Sequence, residues 1–114
     1  MIDDVASLTE SLVVLKRMAD EATRDLDSGE LYDQRRYQMM GRAAQIAREN
    51  GAFASGSFGD LLFSVTKTAV SCANTGQDLL ANNISSERRW GRLISRLLTL
   101  QFDVDLLLRS PVLL

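Results

Sequence analysis

Three runs of this chain place apolar or small residues at alternating steps of three and four, the spacing that gathers side chains on one face of a helix. Val5, Leu8, Leu12, Leu15, Ala19, Ala22 and Leu26 make the first run. It predicts a helix from Asp3 or Asp4 to Leu26, with both aspartates at the end where negative charge is favoured. A repeat of this length is the seam of a helix lying nearly parallel or antiparallel to a neighbour. Val13, Val14 and Met18 lie off the seam and widen it. Bundle core is the plain use of such a seam, and a coiled-coil dimer is the other.

Asp27-Ser28-Gly29-Glu30 breaks the pattern, and Gly29 suits the left-handed residue that follows a helix. A second helix is expected from about Leu31 to Glu49, closed by Asn50-Gly51 through the same device. Its apolar positions are Tyr32, Met39, Met40, Ala43, Ile46 and Ala47, and the small residues at 43, 44 and 47 would let another backbone approach. Arg35, Arg36, Arg42 and Arg48, with Asp33 and Glu49 nearby, suit a solvated face. GAFASGSFG, residues 51–59, is the flexible loop, with Phe53 and Phe58 expected to plug the end of the bundle. Its glycines do not make a Walker loop, which needs a Gly-Lys-Ser/Thr step after a buried strand.

The second run, Phe58, Leu62, Val65, Ala69, Cys72, Gly76 and Leu79, predicts a third helix from about Asp60 to Ala81. Asn74-Thr75-Gly76 is a weak point where it could kink or end, which decides between four helices and five. Asn82-Asn83 makes the next connection. Ser85 or Ser86 then caps a fourth helix with Glu87 in its first turn. Here the third run, Trp90, Leu93, Leu97, Leu100, Val104 and Leu107, is accompanied by a second stripe at steps of four: Ile94, Leu98, Phe102 and Leu106. In a chain this short, one stripe can face the core and the other is left for something else. Residues 98–106 also alternate apolar and polar without a fault, as a strand would. No other segment alternates in this way to pair with it, so a helix is favoured; a strand would imply pairing between two chains. Ser110-Pro111 ends the element, and Val112-Leu113-Leu114 is apolar enough to pack against something.

The pattern therefore predicts an all-α protein, one domain over residues 1–114, built as a four- or five-helix bundle and dimeric. Composition narrows the setting. With 114 residues the chain can bury one core. Its only proline, Pro111, leaves the rest free to form long helices. The net charge of −2 argues against a general nucleic-acid binder. One cysteine cannot form an internal disulfide, and neither a signal-peptide pattern nor an apolar run long enough to span a bilayer is present. A cytoplasmic protein with no membrane partner is expected.

Catalysis finds few candidates. The chain has no histidine, so a histidine-activated serine or cysteine nucleophile is excluded and the usual Cys/His metal sites cannot be assembled. Cys72 sits on a helix seam, where a small buried hydrophobe is the plain expectation. Asp103 and Asp105, two apart, point in different directions on a helix. No enzyme activity, cofactor or metal is expected. Function must lie in surfaces. Arg88, Arg92 and Arg96 form a stripe at steps of four, suited to solvent or to an acidic protein surface more than to DNA. Trp90 is either an interface anchor or the largest core residue. The partner-binding candidates are Trp90, Arg92, Ile94, Arg96, Leu98, Phe102 and Leu106.

In length, helical organisation and the opening MIDDVASLTESLVVLKRM, the chain resembles the small LasR-specific quorum-sensing anti-activators. The resemblance implies an all-helical dimer that binds the ligand-binding domain of a LuxR-type transcription factor. That factor's own dimer surface would be occupied and DNA binding prevented. No functional residue transfers position by position from the resemblance; the candidates above come from the surplus stripe. A secretion chaperone or other helical adaptor could use the same kind of surface, as could a phage-encoded inhibitor. A DNA-binding regulator is the remaining alternative, and the fourth helix is too apolar to suit it.

Overall fold

Four helices follow one another in the computed structural model: α1 (Ile2–Ser28), α2 (Gln34–Asn50), α3 (Gly56–Ala81) and α4 (Glu87–Leu108), with a closing 3-10 turn at Pro111–Leu113. The structure describes residues 2–28, 34–82 and 87–113, and no strand occurs among them. The expected break at Gly29, the start of α2 near Leu31 with Tyr32 on its apolar face, and the Ser85 or Ser86 cap of α4 fall outside the described residues.

Each helix packs on its sequence neighbours, and α4 closes the ring against α1. The 44 Å long axis matches α1, whose 27 residues extend about 40 Å at ~1.5 Å per residue. Side-chain contacts fix the directions. Arg36 at the start of α2 bonds the Asp25 carboxylate and the Glu21 carbonyl near the end of α1. Gly76 and Gly41 of α3 and α2 lie against Tyr37 and Ala73, and Gln101 of α4 bonds Asp20 of α1. Successive helices therefore run antiparallel, up and down around one core.

That core is made by the three predicted seams. Leu8, Leu12, Leu15, Ala19 and Ala22 are buried from α1; Phe58, Leu62, Val65, Ala69, Cys72 and Leu79 from α3; Trp90, Leu93, Leu97, Leu100, Val104 and Leu107 from α4. Met40, Ala43, Ala44 and Ala47 of α2 fill the fourth side. Several expectations need correction. Met39 and Ile46, expected on the apolar face of α2, are both exposed, because the alanines at its centre draw α2 close and leave the longer side chains at the groove edge. Val13 is exposed as well, while Met18 is buried and Val14 is half-buried.

The glycine loop is shorter than predicted, because α3 begins at Gly56 and not near Asp60. Ser55 is extended and Gly56 takes φ 63°, so this glycine supplies the turn into the helix. Phe58 is then helical and buried, whereas Phe53 remains outside. Gly51 does not take the left-handed conformation; it lies where a Cβ would meet Leu62 and approach the Ala47 carbonyl to 2.8 Å. Of the apolar tail, Leu113 packs on the core and Val112 is exposed, while Leu114 lies outside the described residues.

Helix α3 also runs unbroken through Asn74-Thr75-Gly76, so four α-helices are found among the described residues. Gly76 is a contact point: a Cβ there would fall into the buried Tyr37 ring. Helix propensity alone makes Gly→Ala favourable by about 1 kcal/mol. Overpacking a core position costs about 1–3 kcal/mol, and Tyr37 is itself buried. Gly76→Ala should therefore lower the urea midpoint. Gly91→Ala, with nothing within 4 Å of the new methyl, should raise the midpoint, adding up to about 1 kcal/mol of stability. A Gly76→Ala protein as stable as Gly91→Ala would show that Tyr37 yields to the added methyl at little cost.

Burial has an electrostatic signature in the same region. It pushes the Tyr37 hydroxyl up to about 12 from 10.0, aided by Asp25 and Cys72 and opposed by Arg36. Burial also raises the Cys72 thiol to about 11 from 9.0, with Arg96 partly opposing it. Both groups stay protonated in the folded protein at pH values where the unfolded chain begins to ionise. Their contribution is complete below pH 9, falls as pH rises, and is lost as pH passes about 11 for Cys72 and about 12 for Tyr37. Urea midpoints should be level from neutral pH to about 9 and decline above it. In Cys72→Ala the decline should begin nearer pH 10, where the tyrosine takes over.

Candidate docking surface on the fourth helix

The amphipathic logic of α4 is unusual only in having two apolar stripes. The first, from Trp90 to Leu107, points into the bundle. Trp90 is 9% exposed and belongs to the core, which removes its ring from the outer surface. The second stripe turns outward. Leu98 is 53% exposed, Phe102 66% and Leu106 43%, while Ile94 is half-buried. Steps of four overshoot a helical turn slightly, so this stripe winds from the α1 flank at Ile94 to the outer face at Leu106.

Two polar contacts fix the flanks. On the α1 side, Gln101 Nε2 donates to Asp20 Oδ1 at 2.6 Å, and Thr23 Oγ1, which donates to the Ala19 carbonyl at 2.8 Å, lies 3.4 Å from Gln101 Oε1. Lys16 reaches the other oxygen of Asp20 at 3.0 Å. On the α3 side, Arg96 Nη1 donates to Ser71 Oγ at 3.1 Å. Arg92, one turn earlier, is exposed on that same flank. The structure thus groups Ile94, Leu98, Phe102 and Leu106 on one winding surface, sets Arg92 and Arg96 to its α3 side, and places Trp90 beneath. Arg109 pairs with Asp105 at 2.8 Å close to Leu106, giving the stripe a charged lower edge.

Compared with known protein families, curated proteins and solved structures, the chain matches none. The surfaces themselves must carry the functional argument. Large apolar side chains placed singly on a surface are ordinary, whereas several along one helix face form a patch near the few hundred Å² at which a monomer's surface becomes notable. At about 25 cal/mol per Å², covering such a patch is worth several kcal/mol before ordering costs.

A second apolar feature escaped the sequence pattern. Between α1 and α2 lies a groove of about 370 Å³, with Val14, Met39, Ala43 and Ile46 along it and Glu10, Arg42 and Asn50 at its polar rim. Its signal in the sequence is the pair of long apolar residues Met39 and Ile46 beside the small Ala43, Ala44 and Ala47. Phe63 on α3 is exposed too, but the Arg48 guanidinium sits 4.6 Å from its ring centroid and covers one face.

No helix among the described residues is long and apolar enough to cross a membrane. Nor do three or more His, Cys, Asp or Glu side chains gather there in a metal-binding arrangement.

Proposed function

We propose that this protein acts in the cytoplasm as a protein-interaction inhibitor that captures a LuxR-type transcription factor through the outward stripe of α4. It occupies the factor's dimerisation surface and so prevents DNA binding. The observation that carries a docking role is the exposure of Leu98, Phe102 and Leu106 on a helix whose other apolar stripe already fills the core. The identity of the target rests on the resemblance to the quorum-sensing anti-activators. Exchange of one apolar helix surface for another is a physical route by which a small protein can displace a receptor's own partner. Arg92 and Arg96 contribute beside the stripe, steering an acidic surface toward it.

The same stripe also suits a second copy of the chain. Helix α4 is basic at Arg88, Arg89, Arg92 and Arg96 and acidic at Asp103 and Asp105. Antiparallel pairing of two α4 helices would bring the basic half of each opposite the acidic half of the other. The homodimer is then the resting form, and target binding competes with it for the same side chains.

A direct test mixes the protein with a purified, ligand-bound LuxR-type receptor and follows receptor binding to its promoter DNA. The proposal expects release of the DNA as the protein is added, and retention when Phe102→Glu is added instead. DNA binding unchanged by excess native protein would reject the receptor as target. The apolar groove between α1 and α2 favours a second reading, a chaperone that clamps an extended apolar segment of a client. Under that reading Ile46→Glu, and not Phe102→Glu, would remove binding.

A further inference from the structure

The α3 flank of α4 carries a recess that the apolar stripe does not use. It has a volume of about 320 Å³ and is lined by Lys67, Thr68 and Ser71 of α3 and by Ser95, Arg96 and Thr99 of α4. Each helix therefore contributes one cation and two hydroxyls, at the same i, i+1, i+4 spacing, facing its antiparallel neighbour. Short hydroxyl side chains leave open the space that larger residues would fill, and every lining residue can donate a hydrogen bond. Thr99 spends its proton on the Ser95 carbonyl at 3.2 Å. Ser71 accepts from Arg96 at 3.1 Å and keeps its own proton to give, and that bond holds the guanidinium across the recess.

Charge makes the arrangement specific. The chain has 15 acidic and 13 basic residues, enough carboxylates for every cation to find one. Nevertheless no carboxylate lines the recess, and neither Lys67 nor Arg96 forms an ion pair among the described residues. Two like charges held near one another repel, and a dianion between them would turn repulsion into attraction.

We propose that this recess binds a phosphate group, as inorganic phosphate or as a phosphomonoester. Lys67 and Arg96 balance its two charges, and the hydroxyls of Thr68, Ser71 and Ser95 donate to its oxygens. A tetrahedral dianion brings two charges and several acceptor oxygens to the two helices at once, where a carboxylate brings one charge and two oxygens. The ion-paired and cation–π arginines elsewhere in the bundle, Arg36 and Arg48, are already committed to other groups.

The test titrates nitrogen-15-labelled protein with inorganic phosphate, with phenyl phosphate, and with sodium chloride at matched ionic strength, following backbone amides by NMR. Saturable shifts centred on residues 67–71 and 95–99 are expected from the phosphates, with small unsaturating changes from chloride. Lys67→Gln/Arg96→Gln should weaken binding at least about tenfold, since charge-assisted bonds carry most of the affinity. Thr99→Asp, which places a carboxylate in the recess, should do likewise and serves if the double variant does not fold. Tighter binding of phenyl phosphate than of phosphate identifies a monoester as the natural ligand, and equal binding identifies the free ion. Phe102→Gln, which removes the stripe's largest apolar side chain without adding charge one turn from Thr99, should bind phosphate as the native protein does, so phosphate binding is tested separately from docking on the stripe. Shifts equal to those from chloride, saturation at Arg42 or Arg48, or undiminished binding in both variants would overturn the proposal.

Discussion

Leu97→Ala should destabilise the protein by about 2–5 kcal/mol, while Leu98→Ala, one residue on, should change stability by less than about 0.5 kcal/mol. Leu97 is 0% exposed and sits among the core residues of all four helices, so truncating it leaves a cavity as well as lost apolar burial. Leu98 is mostly in water, and its truncation removes little that folding had buried. Equilibrium urea unfolding of the two variants measures the difference. Both were plausible core residues from sequence alone, since the two belong to neighbouring apolar stripes. Comparable losses from the two would mean that the outer stripe is covered inside the same chain, and the docking argument would fail with it.

Phe102→Glu should weaken target binding by at least about a hundredfold and loosen self-association, with the helical circular dichroism retained. An unpaired carboxylate forced into an apolar interface costs several kcal/mol, well above the roughly 2.7 kcal/mol that a hundredfold represents. At 66% exposed, residue 102 can take the charge without harm to the isolated fold. Arg92→Glu should act differently, slowing association at low salt with little effect on the rate of dissociation. Affinity that persists in high salt would match an apolar contact, whereas steep loss with salt would place the binding energy in the arginines.

Much of the architecture could be read in advance because its seams are regular. The three-four repeats of α1, α3 and α4 correspond to buried residues almost position by position. The apparent strand pattern of residues 98–106 has a helical origin: Leu98, Phe102 and Leu106 face out while Leu100 and Val104 face in. Two helical stripes interleaved at a spacing of two produce the alternation of a strand. Where the sequence misled, tertiary packing decided. Gly76 looked like a break because glycine weakens an isolated helix, but it is the place where Tyr37 comes close. Met39 and Ile46 looked like core because they are apolar, but closeness at Ala43, Ala44 and Ala47 left them at a groove edge. The recess between α3 and α4 was illegible for a simpler reason. Its six residues come from two segments more than twenty positions apart, and only folding places them together.

The central claim is that the α4 stripe competes for a receptor's dimer surface. Light scattering after size-exclusion chromatography tests it, with the ligand-binding domain of a LuxR-type receptor measured alone and then with this protein. The account predicts that the receptor dimer gives way to a complex holding one receptor protomer, and that Phe102→Glu leaves the dimer intact. A receptor dimer that persists with excess native protein, whether free or bound as a whole, would contradict it.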